Sequence, residues 1–289
     1  MLEHLLPVSQ PPSRVVIVGS AGFVGGAIVE RLARENVPCL PLGRAALDLL
    51  APDAAARFRA LLVPGDAVVT AAAIAPCKDI AMLVDNMRMV GALVGGLADA
   101  PISHVVNISS DAVYADEPLP LTETSPAAPT SLHGVMHLAR ELALRSGLNV
   151  PIAMLRPTLI YGAADPHNGY GPNRFRRLAA AGQEIVLFGQ GEERRDHVAV
   201  EDVAEIAVRV LLRRSRGVLN VATGDVHSFH AVAEMAVALA PRPVPIRGAP
   251  RNGPMPHNGY RPFDSSASRA AFPDFRYTRL QEGLRRAAS

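Results

Sequence analysis

Short, continuously apolar runs alternate with longer amphipathic stretches through the first half of the chain. Arg14–Val18 stays apolar up to the glycine that ends it, which suits a strand covered on both faces of a parallel sheet. Residues 23–35 then place Val24, Ile28 and Leu32 on one side of a helix. The pair of patterns recurs, with strands at 37–42, 66–70 and 104–108 alternating with helices at 52–62 and 80–98. A helix at 131–145 and a strand at 150–155 extend the series. This alternation predicts an α/β fold built on a doubly wound parallel sheet.

Beyond Pro157 the texture changes. Prolines, glycines and asparagines crowd 157–173, and the elements expected after them are short. They are a helix at 173–181, strands at 184–188 and 197–200, a helix at 201–213, a strand at 218–221 and a helix at 228–239. A proline-rich stretch, 241–262, leads to a last helix at 278–286. The expected organisation is a flexible arm at 1–13, a core at 14–162, and a smaller C-terminal lobe at 163–289 interleaved with that core.

Composition narrows the function classes. With 49% hydrophobic and 19% charged residues, the chain can bury a sizeable core. Lys+Arg 29 against Asp+Glu 27 gives no electrostatic case for nucleic acid. Cys39 and Cys77 are too few for a disulfide framework or a zinc cluster and read as reduced thiols. Met1–Ser13 lacks the basic start and long apolar stretch of a signal peptide. The longest apolar run, 67–77, is short of the roughly 20 residues that span a bilayer. A soluble, cytoplasmic chain with no membrane partner is expected.

Gly19-Ser-Ala21-Gly22-Phe23-Val24-Gly25 lies between the first strand and the first helix. The first glycine permits a tight turn, the second lets backbone approach a pyrophosphate, and the third allows close helix–strand packing. The helix N-terminus behind them offers unpaired N–H groups to an anion. This context reads as a dinucleotide site in a Rossmann sheet. An acidic residue about 20 positions on would hold the ribose of NAD, but the second strand ends in Leu42-Gly43-Arg44. Arginine there suits a 2′-phosphate, so NADP is expected, with NAD the alternative. Asp48 and Leu49 are placed along the adenine edge, a helix-capping role being the other reading of Asp48.

At this point the chain resembles the extended short-chain dehydrogenases/reductases grouped as NAD-dependent epimerases/dehydratases. The glycine motif, Ala71-Ala72-Ala73, Asn86, Ile108-Ser-Ser110-Asp111-Ala112-Val-Tyr114 and Arg156-Pro157-Thr-Leu-Ile-Tyr-Gly162 carry the likeness. So do Arg195-Asp-His-Val-Ala-Val200, Leu219-Asn-Val-Ala-Thr-Gly224 and Arg261-Pro-Phe-Asp264. The resemblance implies cofactor contacts from Ala71, Ala72, Ala73, Asn86, Ile108 and Pro157, and a homodimer through helices 80–98 and 131–145.

It also implies a tyrosine and a lysine four residues apart on a helix, assisted by a serine. Ser110 matches the serine. The pair does not match: His133 falls at the tyrosine and His137 at the lysine, with Glu141 fixing the register. Four residues apart, both histidines share one helix face, and imidazole exchanges protons near neutrality. His133 is therefore the candidate acid/base with Ser110, and His137 the ribose contact. Metal ligation is the weaker reading, because the intervening Gly-Val-Met lacks a metalloprotease glutamate and no third ligand is evident.

Family members acting on nucleotide-diphosphate sugars clamp the diphosphate with two arginines, which Arg195 and Arg261 match. Asn173, together with Asp111 and Ala112, completes the expected substrate contacts. Family dehydratases carry Asp-Glu where this chain has Asp111-Ala112, so dehydration is disfavoured. The expectation is an NAD(P)-dependent oxidoreductase or epimerase of a nucleotide-linked sugar. The alternative is a cofactor-binding regulatory or scaffold protein of the same fold without turnover.

Overall fold

The computed structural model describes residues 1–116 and 120–288. The chain opens with β1 (Val15–Val18), α1 (Phe23–Arg34), β2 (Cys39–Leu42), α2 (Ala54–Leu61), β3 (Ala67–Thr70), α3 (Ile80–Leu97) and β4 (His104–Ile108). After a 3₁₀ turn at Asp111–Val113 come α4 (Leu132–Gly147), β5 (Ile152–Pro157), β6 (Leu159–Tyr161), α5 (Pro172–Ala181), β7 (Ile185–Phe188) and β8 (Arg194–Ala199). The remainder is α6 (Val200–Leu212), β9 (Gly217–Val221), β10 (Val226–Ser228), α7 (Phe229–Val237), β11 (Ile246–Ala249), β12 (Tyr260–Arg261), α8 (Ser266–Ala271) and α9 (Leu280–Ala288).

Two compact units result. The first comprises Met1–Ala115, Glu123–Pro157 and Val203–Val221, and the second Asp116–Thr122, Thr158–Asp202 and Ala222–Ser289. The first unit holds a six-stranded parallel sheet in the order β2-β1-β3-β4-β5-β9. Its inner strands β1, β3 and β4 are buried at every residue, because helices cover both faces. The order steps from β1 out to β2 and then returns past β1 to β3. That reversal leaves a crevice at the carboxyl ends of β1 and β3, where open α/β sheets bind ligands. One core cluster, including Val16, Val68, Phe58, Leu93, Leu97 and Val105, fills one side of this sheet.

Helix α3 has the length and apolar composition of a membrane span. Val90, Leu93 and Leu97 are nevertheless buried on its inner face, the last two in that cluster. The N-terminal segment, expected as a flexible arm, makes backbone hydrogen bonds to 212–216. Glu3 and Arg216 exchange two 2.8 Å backbone hydrogen bonds, and Gln10 N–H donates to the Leu212 carbonyl.

The second unit pairs β10-β8-β12, adds β6 to β8, and sets β11 parallel to β7. Its core joins Tyr161, Phe175, Ile185, Phe229, Val232 and Leu284. The sequence reading missed β6, β10, β11, β12 and α8. These pieces run two to six residues, too short to show a period of their own.

Candidate active site

The crevice begins with Gly19. Its φ of +93° is open to glycine alone, and a Cβ there would lie 2.5 Å from the Ala72 nitrogen. The turn after β1 thus lies against the segment after β3. A Cβ on Gly25 would lie 2.1 Å from the Gly19 carbonyl oxygen, so the helix can approach the strand end only as glycine. Ala21 and Gly22 are exposed, and Phe23 and Val24 open the helix half-buried. No side chain caps α1 and no acid lies in its first turn, so its positive end is free for an anion. These features fit a dinucleotide pyrophosphate.

Arg44 follows directly. Its side chain is 78% exposed and makes only a 3.6 Å ion pair with Asp48. Asp48 accepts the Leu50 N–H at 3.0 Å, so it caps a turn and not a helix. Leu49, expected along the adenine edge, is buried in the core cluster. Asn86 also differs from expectation. Its amide accepts from Ile74 N–H and donates to the Ile74 and Met82 carbonyls, so it shapes the segment following Ala71–Ala73. Ile108 and Pro157 end β4 and β5, both buried.

Helix α4 starts under Ser131, whose hydroxyl accepts the Gly134 N–H at 3.1 Å. A Cβ on Gly134 would sit 2.1 Å from the Ala112 carbonyl oxygen. Only glycine lets the helix press on the turn at Asp111–Val113, which brings His133 toward Asp111. Sequence reasoning passed over Gly134; a glycine inside a helix costs about 1 kcal/mol against alanine, which was the available signal. Ser110 accepts the Ala112 N–H at 3.1 Å and donates to Asp111 at 3.3 Å.

The two imidazoles meet edge to face, centroids 4.7 Å apart. His133 Nδ1 accepts a long bond, 3.4 Å, from the Cys77 N–H. An acceptor at Nδ1 places the ring proton on Nε2 in the neutral form. Burial pushes the His133 pKa down, with Asp111 pulling the other way. His137 is displaced further down by burial, then by His133 and Arg140, and its Nδ1 is buried without a partner. Both histidines are therefore neutral near pH 7.

Arg140, which the sequence reading passed over, is fully buried. It donates to Asn107 Oδ1 at 2.7 Å, to the Thr70 carbonyl at 2.8 Å, and to the Ala72 carbonyl. One residue on, Glu141 accepts from Ser109 at 2.6 Å and from both arms of Arg156 at 2.8 and 2.6 Å. Arg156 in turn lies over the Tyr114 ring.

The second unit carries the other predicted residues. Arg195 is paired with Glu193 at 3.4 Å, and buried Arg261 with Asp116 at 2.6 Å; His257 also bonds Asp116. Asp196 is buried under donors from Thr158, Thr223 and Gly224. His197 next to it is held neutral by burial, its pKa lowered to about 3. Asn173, expected at the substrate, accepts from the Gly162 N–H and donates to the Ile160 carbonyl. It fixes that loop from inside.

Sheet order, glycine turn and crevice together define a doubly wound, Rossmann-like α/β protein. The model for the NAD dependent epimerase/dehydratase family matches residues 15–222, and the chain belongs to that family. A dTDP-4-dehydro-6-deoxy-D-allose reductase of Streptomyces bikiniensis is 27% identical over 275 residues, covering 81% of this chain and 83% of the relative. A UDP-glucose 4-epimerase of Mycolicibacterium smegmatis is 28% identical over 229 residues, covering 68% and 72%. Among solved structures, the UDP-N-acetylglucosamine 4-epimerase of Methanobrevibacter ruminantium M1, in complex with UDP-N-acetylmuramic acid, shares the fold. Its TM-score is 0.81 at 21% identity, covering 96% of this chain and 98% of that one.

Proposed function

We propose that the chain is an NADP-dependent oxidoreductase that reduces a carbonyl on a nucleotide-linked sugar. The observation that carries this reading is the tautomer of His133. With Nδ1 accepting from Cys77, Nε2–H is the group available to a carbonyl oxygen. A neutral imidazole in that state polarises a carbonyl and hydrogen-bonds the alkoxide that hydride addition would leave, which takes its proton from solvent; the Ser110 hydroxyl, turned from Asp111, is the second donor. The bound nicotinamide supplies the hydride. His137 is assigned to the nicotinamide ribose, and Arg195 and Arg261 to the substrate diphosphate. Alanine at 112 offers no carboxyl for removing water, so dehydration is not part of the proposal. Epimerisation is the second reading, favoured by the epimerase relatives; it contains the same reduction as its closing half.

Arg44 supports NADP over NAD, since among the described residues its exposed guanidinium after β2 meets only Asp48, in a 3.6 Å ion pair. The test is calorimetric titration with NADPH and NADH, followed by loss of reduced-nicotinamide absorbance over a panel of UDP- and dTDP-linked keto sugars. NADPH is expected to bind more tightly, and Arg44→Ala to erase about 10–100-fold of that preference, the worth of a charge-assisted contact. Absence of binding by either dinucleotide would remove the reading. Tight binding with inertness across the panel would favour a regulatory protein. Exposed Ile80 and Val84 on α3 and Val135 and Leu142 on α4 support a homodimer, which light scattering would test.

A further inference from the structure

We infer that Arg140 is the positioning cation of the histidine pair: from the turn beyond His137 it supplies the fixed positive charge that the family's lysine supplies from position 137, while its fork anchors the backbone after β3. The inference rests on the proposed role of His133 and His137.

All three bonds from Arg140 end on neutral oxygens, those of Asn107, Thr70 and Ala72. Among the described residues no carboxylate lies within ion-pair distance of it. The adjacent acid, Glu141, is committed to Ser109 and to Arg156. Burying a guanidinium without a counter-charge is costly, and a site normally neutralises it. Here three carbonyl oxygens solvate the charge and no anion among the described residues cancels its field on the neighbouring helix turn.

Those surroundings are specific. His137 precedes Arg140 by three residues on the same helix, and the His133 ring stands edge to face with His137. The other titratable group facing the pair is Asp111, from the turn after β4, while Cys77 meets His133 through its backbone N–H. The same fork holds the carbonyls of Thr70 and Ala72, and Ala72 is the residue against which the Gly19 turn is packed. One side chain thus ties the cofactor turn to the proton-handling pair. Burial lowers the Arg140 pKa to about 10, which leaves it cationic at neutral pH. An oxyanion developing beside the pair then meets a charge that does not titrate near neutrality, which two neutral histidines do not offer.

The test is histidine-ring NMR titration of the cofactor-free protein as wild type, Arg140→Met and Arg140→Lys. Arg140→Met is expected to raise the His137 titration by about one pH unit, and His133 by less. Both stay below the ordinary value, because burial is unchanged. Arg140→Lys is expected to hold the wild-type titration, despite a lower melting temperature from the lost fork. A folded Arg140→Met protein whose histidines titrate as in wild type would overturn the inference. If Arg140→Met does not fold, Arg140→Gln, which keeps amide donors for the same oxygens without the charge, decides: a His137 titration raised by about a unit supports the inference, and an unchanged one overturns it. Neither arm needs turnover or cofactor. An inert wild type would therefore count against the proposed function and leave this outcome readable.

Discussion

The two ends of helix α4 handle buried polarity in opposite ways. Toward the carboxyl end, Glu141 has four partner bonds drawn from Ser109, Arg156 and Arg145, and the network continues to the Tyr114 ring. Toward the amino end, His137 leaves a buried nitrogen unpaired and His133 has one long hydrogen bond, while Arg140, beside Glu141, has no acid within ion-pair distance among the described residues. The same helix therefore contains an anchor and, where the site is proposed, polar groups left unsatisfied. A complete network rigidifies, whereas incomplete satisfaction is tolerated where a ligand completes it.

The comparison can be broken from its strong side first. Glu141→Ala would strand the Arg156 cation and is expected to cost about 3–5 kcal/mol in urea unfolding. A loss under 1 kcal/mol would deny the anchor. His133→Phe is expected to lower kcat/KM by about 10²–10⁴ on whichever nucleotide sugar the wild type accepts. Its stability should change by no more than about 1 kcal/mol, since a single long hydrogen bond is removed. Equal damage to stability would make the amino end a second anchor. Gly134→Ala forces a methyl against the Ala112 carbonyl and is expected to cost about 1–3 kcal/mol, with turnover falling alongside.

The smallest effect is a slope. The His137 pKa is depressed in the folded state, so the stability it permits is full above the unfolded value near 6.5. That stability is lost as pH falls below 6.5, because unfolding takes up a proton. His137→Leu is expected to flatten this dependence by one proton's worth, measured as urea midpoints across the acid range. His104, lowered to about 4, and His197, lowered to about 3, keep the remaining slope.

The glycine turn was legible because its mechanism is local: a strand, three spaced glycines and a helix are contiguous in the chain. The parallel sheet was legible for the same reason, through continuous apolar runs. Asn86 and Asn173 were read as ligand contacts, yet their amides hold the backbone of Ile74 and Gly162, twelve and eleven residues away in sequence. Residue type announced a polar role at both positions, but only folding decides whether backbone or ligand receives it. Arg140 was invisible for a sharper reason. Its carbonyl partners lie 68 and 70 positions off, and backbone carbonyls carry no sequence signature. The short strands of the second unit exist only through pairing, so no local pattern announced them.

The acid-free burial of Arg140 also makes the present site contingent on its own history. Placing tyrosine at 133 and lysine at 137, the family's usual pair, would set two cations within one helical turn and add no new anion for either. Each substitution is acceptable in isolation on the family pattern, but here the lysine would be penalised by a residue three positions away. A route back to the common motif must change position 140 before or together with 137. The order in which these residues can be exchanged is therefore constrained by one buried guanidinium.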